Sequence, residues 1–443
     1  MDASITQRRR KPQEKGTDAD SQEPTGSSTA VAPRRTLDAV KRGSVSKLVT
    51  LGVIASVFAL GTYVTLTSPQ TPNQVVRKLR AAVYLDDQRP LLAKRATAGY
   101  TCDPTICKLP NCFCPTKSPA GGLAVSNTPQ FILLTFDDAV QVISHPLAEK
   151  AASSKNPNGC RIPATFFVSN TYTNYHMVQM LHGAGHEIAL HTMSHIGNPT
   201  TPEIDGCRKA LNAYAGIPLA DMKGFRAPFL EYNMTTYAAL RDLGLQWDCS
   251  NPVDPPGQMT WPYTLDEGFP VECNTGTCDY TARFPGLWEI PMNTLMDPAT
   301  GTALSSMDPP GDPAFLQNLF RHNFKLHWEN GRLPFGVWLH AAWFLEDPVN
   351  DRMAILTEFF DWARSYTNNA VWFVTPTQLL TWLQNPIGLD AMQSSSLFAC
   401  PWQDARGDAN KTEICNGVDD NGSGYTKKDA QKKRPTLSPF LIL

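Results

Sequence analysis

The chain has 443 residues, 42% of them hydrophobic and 18% charged, with a formal net charge of −2. That length allows one large domain or two ordinary ones, and that apolar fraction lets most of the chain fold around a core. The near-neutral balance argues against a nucleic-acid partner, which would call for a basic surplus.

Residues 1–47 are polar, rich in Ser, Thr and Pro, and read as a disordered cytoplasmic tail. Leu48 to Leu66 then runs 19 residues without a charge, which as a helix spans about 28 Å, roughly a bilayer core. It starts too late and runs too long for a cleaved signal peptide. Arg34, Arg35, Lys41, Arg42 and Lys47 precede it, and Arg77, Lys78 and Arg80 follow it. That bias predicts a single-pass signal anchor with a lumenal or extracellular body, against the competing reading of a buried core helix. Residues 67–100 read as a stem, in which the dibasic pair Lys94-Arg95 is a candidate processing site that would release the body to the extracellular space or a cell wall.

All 11 cysteines come after the stem, four of them in a cluster at Cys102, Cys107, Cys112 and Cys114. A Cys-free start and a Cys-rich body suit an oxidising compartment, with residues 101–122 as a disulfide-bonded cap. A zinc cluster is the alternative for 102–114, although no Cys-x2-Cys pair or nearby His supports it. The odd count leaves at least one thiol without an intramolecular partner. Sequons at Asn233, Asn410 and Asn421 agree with a secretory route and are candidate glycosylation sites.

From residue 123 to 400 short apolar runs alternate with helical stretches. The runs are 131–136, 164–168, 187–190, 287–292, 336–339 and 371–374, with weaker candidates at 224–229 and 245–248. Helices are expected at 175–184, 351–366 and 377–383. Such alternation predicts an α/β fold with a mostly parallel sheet, and this many strands predicts a barrel. Residues 401–443 read as a low-complexity tail. Within it, 419–424 places oxygen-bearing side chains at alternate positions before a glycine, as calcium loops do, but lacks the closing glutamate.

Ionisable residues mark the strand ends: Asp137-Asp138, His191, Arg226, Asp248 and His340. In an α/β barrel those ends meet at one mouth, where chemistry is built. His191 and His195 are four apart, a spacing that sets both on one face of a helical turn. With one carboxylate they make three protein ligands and leave positions open for water and substrate, a catalytic type of site. Adjacent aspartates in extended chain point in different directions, so one can ligate while the other acts as a base. Arg226 offers a cation to keep that base ionised. His340 is suited to protonate a leaving amine, and Asp248 to hold its ring. A two-histidine, one-carboxylate set also serves non-haem iron oxygenases, but those give the second aspartate and His340 no task.

Residues 135–139 (Thr-Phe-Asp-Asp-Ala), 191–195 (His-Thr-Met-Ser-His), 226–230 (Arg-Ala-Pro-Phe-Leu), 248–250 (Asp-Cys-Ser) and 339–343 (Leu-His-Ala-Ala-Trp) occur in that order. With the runs at 107–114, 156–160, 165–169 and 261–265, they resemble the polysaccharide deacetylases, most of all the animal-type chitin deacetylases, over residues 100–400. The resemblance implies a distorted, incomplete (β/α) barrel that removes N-acetyl groups from N-acetylglucosamine residues of chitin or a related polysaccharide and releases acetate. It implies Asp137 as general base, with Asp138, His191 and His195 holding zinc or another divalent ion such as cobalt. Arg226 would pair with Asp137, the Phe229 N–H would share the oxyanion hole with the metal, and Asp248 would tune His340, the general acid. Leu339 would line the pocket for the acetyl methyl. Trp261, Trp288 and Trp343 are candidates for stacking on sugar rings, with core packing as the alternative. A relative that has kept the fold and only binds glycan is the competing function.

Overall fold

A computed structural model describes residues 99–346 and 351–400. The tail at 1–47, the span at 48–66, Lys94-Arg95, Asn410, Asn421, Cys415 and the turn at 419–424 lie outside the described residues. Among the described residues no helix is long and apolar enough to cross a membrane.

The strands, in chain order, are β1 (Gln130–Asp137), β2 (Thr165–Val168), β3 (Glu187–Leu190), β4 (Gly224–Phe225), β5 (Trp247–Asp248), β6 (Pro252–Val253), β7 (Tyr263–Leu265), β8 (Phe284–Glu289), β9 (Met292–Asn293), β10 (Leu295–Met296), β11 (Ala303–Ser305), β12 (Phe335–His340) and β13 (Val371–Phe373). Nine form one sheet in the order β12-β1-β2-β3-β4-β5-β8-β7, with β13 also paired to β1. Every pairing is parallel except the antiparallel β7–β8 step. Among the described residues nothing pairs β7 with β12, so the sheet curls into an incomplete barrel, as the strand pattern and the resemblance led us to expect.

Strand parity sorts the core. In β1, Ile132, Leu134 and Phe136 face the helices, while Phe131 and Leu133 join Trp247, Trp261, Trp338, Trp372 and Trp382 inside the curl. The two-residue period carries that inner face forward to Thr135 and Asp137. A carboxylate at the end of β1 therefore points into the barrel mouth rather than toward the helices. β1 is buried along its whole length, as a parallel strand covered on both faces must be.

The main helices are α1 (Ser144–Ala151), α2 (Tyr175–Gly183), α3 (Thr201–Ala215), α4 (Met234–Asp242), α5 (Pro313–Glu329), α6 (Arg352–Tyr366) and α7 (Pro376–Gln384). α2, α6 and α7 fall where the sequence places them, within a residue or so at each end. α7 opens with Pro376 in its first turn and a Thr375–Gln378 capping box. The expected run 287–292 divides into β8 and β9, and Pro291, which has no N–H for a ladder, falls in the gap between them.

The Cys-rich segment protects the sheet edge. Cys102–Cys114 and Cys107–Cys112 are disulfides, so the zinc-cluster alternative has no thiolates left to use. Phe113 N–H donates to Thr264 Oγ1, and Thr264 N–H donates to the Phe113 carbonyl, both at 3.0 Å. Trp261 N–H donates to the Thr116 carbonyl at 2.9 Å. The cap thus covers β7, whose unpaired backbone would otherwise invite edge-to-edge association. Cys160–Cys400 and Cys273–Cys278 are further disulfides, and Cys207 and Cys249 are buried free thiols.

Candidate metal centre and its flanking acid and base

Three side chains converge where β1 and β3 end. His195 Nε2 lies 2.9 Å from Asp138 Oδ1, and His191 Nε2 lies 3.5 Å from the same oxygen. These three residues form one of the groups in which a ligand atom from each lies within 4.8 Å of the others. Asp138 Oδ1 is buried and accepts no hydrogen bond within the protein. A buried carboxylate oxygen without a donor is costly, and a cation against it removes the cost. The residues therefore fit a divalent ion held by one oxygen and two imidazole nitrogens.

The backbone that presents them is bent, not helical. Residues 191–195 form an irregular loop that bends at Met193 and Ser194, and Thr192 and His195 have φ of 69° and 56°. The expected helical turn is thus corrected: left-handed residues, rather than helix periodicity, bring the two rings together. Asp138 has φ of 83°, and Phe229 and Leu230 have 58° and 57°. Five non-glycine residues in this region, each costing of order 1 kcal/mol, persist only where their surroundings hold them. Glu203, in the first turn of α3, supplies part of that hold. Its carboxylate accepts from Ser194 N–H at 3.0 Å and Ser194 Oγ at 2.8 Å, and its carbonyl accepts from Met193 N–H. His191 Nδ1 lies 2.8 Å from the Arg226 carbonyl oxygen. Donation to that carbonyl places the proton on Nδ1 and leaves the Nε2 lone pair facing Asp138.

Asp137 turns the other way. Its Oδ1 accepts from Arg226 Nη1 at 2.6 Å, and the same nitrogen lies 3.1 Å from Thr135 Oγ1. Arg226 is fully buried, its guanidinium carbon 3.9 Å from the Phe167 ring centre, and its Nε donates to the Cys249 carbonyl. The desolvated cation is locked, so it fixes the position of the carboxylate.

His340 closes the other side, its Nε2 3.7 Å from Asp138 Oδ2. Its Nδ1 is hydrogen-bonded to Asp308 Oδ2, and Asp308 Oδ1 accepts the His340 N–H at 2.8 Å. Burial opposes the charge on this ring. The Asp308 hydrogen bond, with the carboxylates of Asp137, Asp308 and Asp138, outweighs burial and raises the pKa to about 9. On Asp138 burial is again the largest influence and raises the pKa, but the nearby imidazoles of His191, His340 and His195 together lower it.

Several expectations are corrected here. Asp248 does not hold His340; Asp308 does. Asp248 closes β5, 1% exposed, and its carboxylate receives Ser250 instead. Asp308 comes from a loop, so a rule based on strand ends passes over it. Leu339 is fully buried within β12 and presents no surface to an acetyl methyl. Trp343 is also fully buried, and its indole N–H donates to the Pro309 carbonyl at 3.0 Å, bracing the loop that carries Asp308. Trp261 and Trp288 are likewise core residues. Phe229, by contrast, is 64% exposed, with its ring 4.7 Å from that of His195. Asn233 caps α4, its side-chain oxygen accepting from the N–H groups of Thr235 and Thr236.

Residues 124–247 match the family described as polysaccharide deacetylase. The chain is 32% identical over 326 residues to chitin deacetylase 8 of Bombyx mori, covering 68% of this chain and 82% of that protein. It is 34% identical over 319 residues to chitin deacetylase 1 of the same organism, covering 64% of this chain and 57% of that protein. A solved structure similar to it is a family 4 carbohydrate esterase from Streptomyces lividans in complex with acetate. That match has a TM-score of 0.30 and 17% identity, and covers 55% of this chain and 90% of the esterase.

Proposed function

The chain belongs to the polysaccharide deacetylase family, in its chitin deacetylase-like branch, and on that premise we propose that it hydrolyses the N-acetyl groups of chitin or a closely related N-acetylglucosamine polymer. The observation that carries this reading is one metal-type triad flanked by two different proton-handling groups, Asp137 with Arg226 and His340 with Asp308.

Asp138, His191 and His195 would hold the divalent ion, for which zinc suits two imidazoles and a carboxylate. When bound, such an ion supplies Lewis acidity toward water and the acyl carbonyl. Asp137, oriented by Arg226, accepts the proton of the attacking water at a carboxylate oxygen. The Phe229 N–H, on the exposed left-handed turn after β4, is the backbone donor proposed for the developing oxyanion. His340, held protonated by Asp308, gives its Nε2 proton to the amine as the carbon–nitrogen bond breaks. Acetate and a free amino sugar leave.

The disulfides support delivery of the body to an oxidising compartment. We take residues 48–66 as the anchor that brings it there, with the polymer substrate met outside the cytosol. Acetate release from a panel of defined N-acetylated glycans, with and without a chelator, tests the function. Chelator-sensitive release from N-acetylglucosamine oligomers is expected. Glycan binding with no release from any member of the panel would favour a binding protein of the same fold.

A further inference from the structure

Because Asp308 holds His340, Asp248 has no contact with the general acid. Its hydrogen bonds lead elsewhere. Ser250 Oγ donates to Asp248 Oδ1 at 2.7 Å, and that same Oγ accepts the Ala227 N–H at 2.8 Å. The Ala227 N–H is one end of the peptide unit that joins Arg226 to Ala227. The other end is the Arg226 carbonyl, to which His191 Nδ1 is bonded at 2.8 Å. Three hydrogen bonds therefore run head to tail from a carboxylate, through a hydroxyl and one conjugated peptide, to an imidazole.

Every group on the path is shielded. Asp248 is 1% exposed, Ser250, Ala227 and Arg226 0%, and His191 2%. In a low-dielectric interior such chains polarise one another, so a charge at one end strengthens the acceptor at the other. A peptide whose N–H is drawn toward an acceptor has a more electron-rich carbonyl oxygen, and an imidazole donating to that oxygen is a stronger base at its other nitrogen.

We infer that Asp248 and Ser250 are positioning residues for His191, fixing its Nδ1–H tautomer and strengthening Nε2 as a metal donor through the Arg226–Ala227 peptide. The inference rests on the proposed assignment of Asp138, His191 and His195 as metal ligands. The surroundings of Asp248 support it. Glu289 lies opposite Asp248 in the β5–β8 pairing, and Tyr237 Oη is 3.2 Å from Asp248 Oδ2 and 2.9 Å from Glu289 Oε2. Burial raises Asp248 to about 6 and Glu289 well above its ordinary value. Burial and the neighbouring Asp248 carboxylate thus drive Glu289 toward its neutral form, which favours leaving the negative charge on Asp248.

The test measures zinc affinity of the metal-stripped full-length chain by competition with a chelator at neutral pH, together with the His191 Nδ1–H resonance of the zinc-loaded protein. Ser250→Ala and Asp248→Asn are expected to weaken zinc binding by roughly tenfold, as loss of an outer partner of a metal histidine does, and to move that resonance upfield. Ser250→Thr keeps the hydroxyl and should stay near wild type. Tyr237→Phe touches the same carboxyl pair but lies off the path, so it should lower the melting temperature and leave zinc affinity alone. If Ser250→Ala does not fold, the isosteric Asp248→Asn carries the test. Unchanged zinc affinity and resonance in both relay variants overturn the inference, as does an equal loss in Tyr237→Phe. Wild-type protein that takes up no zinc, or keeps it in His191→Ala, overturns the ligand assignment itself.

Discussion

Two adjacent aspartates point to different partners because the backbone bends between them. Asp137 continues the inner parity of β1 and meets Arg226, while Asp138, with φ of 83°, swings toward the two histidines. Removing the cation leaves a buried carboxylate unpaired, so Arg226→Met should cost about 3–5 kcal/mol in chemical denaturation. A loss below 1 kcal/mol would mean that the pair is not desolvated as described. Asp308→Asn removes a carboxylate that raises His340 to about 9. As the proposed acid, His340 would work only while protonated, so activity should fall as pH rises through its pKa. That alkaline fall in kcat/KM should move to lower pH in Asp308→Asn, and an unmoved limb would detach Asp308 from the acid. Asp137, Asp138, His191 and His340 were legible in the sequence because each follows an apolar run, and Arg226 because it is a lone cation inside one. Asp308 was not, since it reaches His340 from a loop that no periodicity marks. Leu339 and Trp343 were misplaced because adjacency to His340 in sequence says nothing about which residues of a strand and its following turn face solvent.

At the scale of elements, apolar runs were enough to locate the parallel strands of the main sheet, because a strand covered on both faces has little choice of composition. α5 was missed for a definite reason. Its buried stripe of Leu316, Leu319, Phe320, Asn323, Phe324 and His327 has helical spacing but includes two polar residues. Both are satisfied inside. Asn323 bonds the backbone of Met296 in both directions, and His327 Nδ1 bonds the Pro334 carbonyl at 2.7 Å. Burial pushes His327 down to about 4, against the opposing pull of the Pro334 carbonyl. The unfolded chain takes up this proton near pH 6.5, whereas the folded chain resists it until about pH 4. The stabilisation is therefore complete above pH 6.5 and lost as pH falls toward 4, a loss of about 3 kcal/mol. Urea denaturation of wild type and His327→Gln at both ends of that window checks this. The stability difference between them should change by that amount in favour of the variant at acid pH, and a constant difference would contradict it.

Across the described residues, the curled sheet keeps its aromatic core inside and its helices outside, and gathers Asp137, Asp138, His191, His195 and His340 at its open mouth. The Cys-rich cap guards the β7 edge. The fold class was legible because strand and helix periods alternate over the body. The antiparallel β7–β8 step was not, because β7 is three residues long and its partner carries Pro285 and Gly286 within its run. The proposed mechanism divides labour at the barrel mouth, with Asp138 holding the metal and Asp137 moving the proton. Zinc content and acetate release from an N-acetylglucosamine oligomer, measured together on Asp137→Ala, test it most directly. One zinc per chain, as in wild type, is expected, with release reduced by at least about a hundredfold; loss of the zinc along with the activity, or activity that survives, would overturn the division.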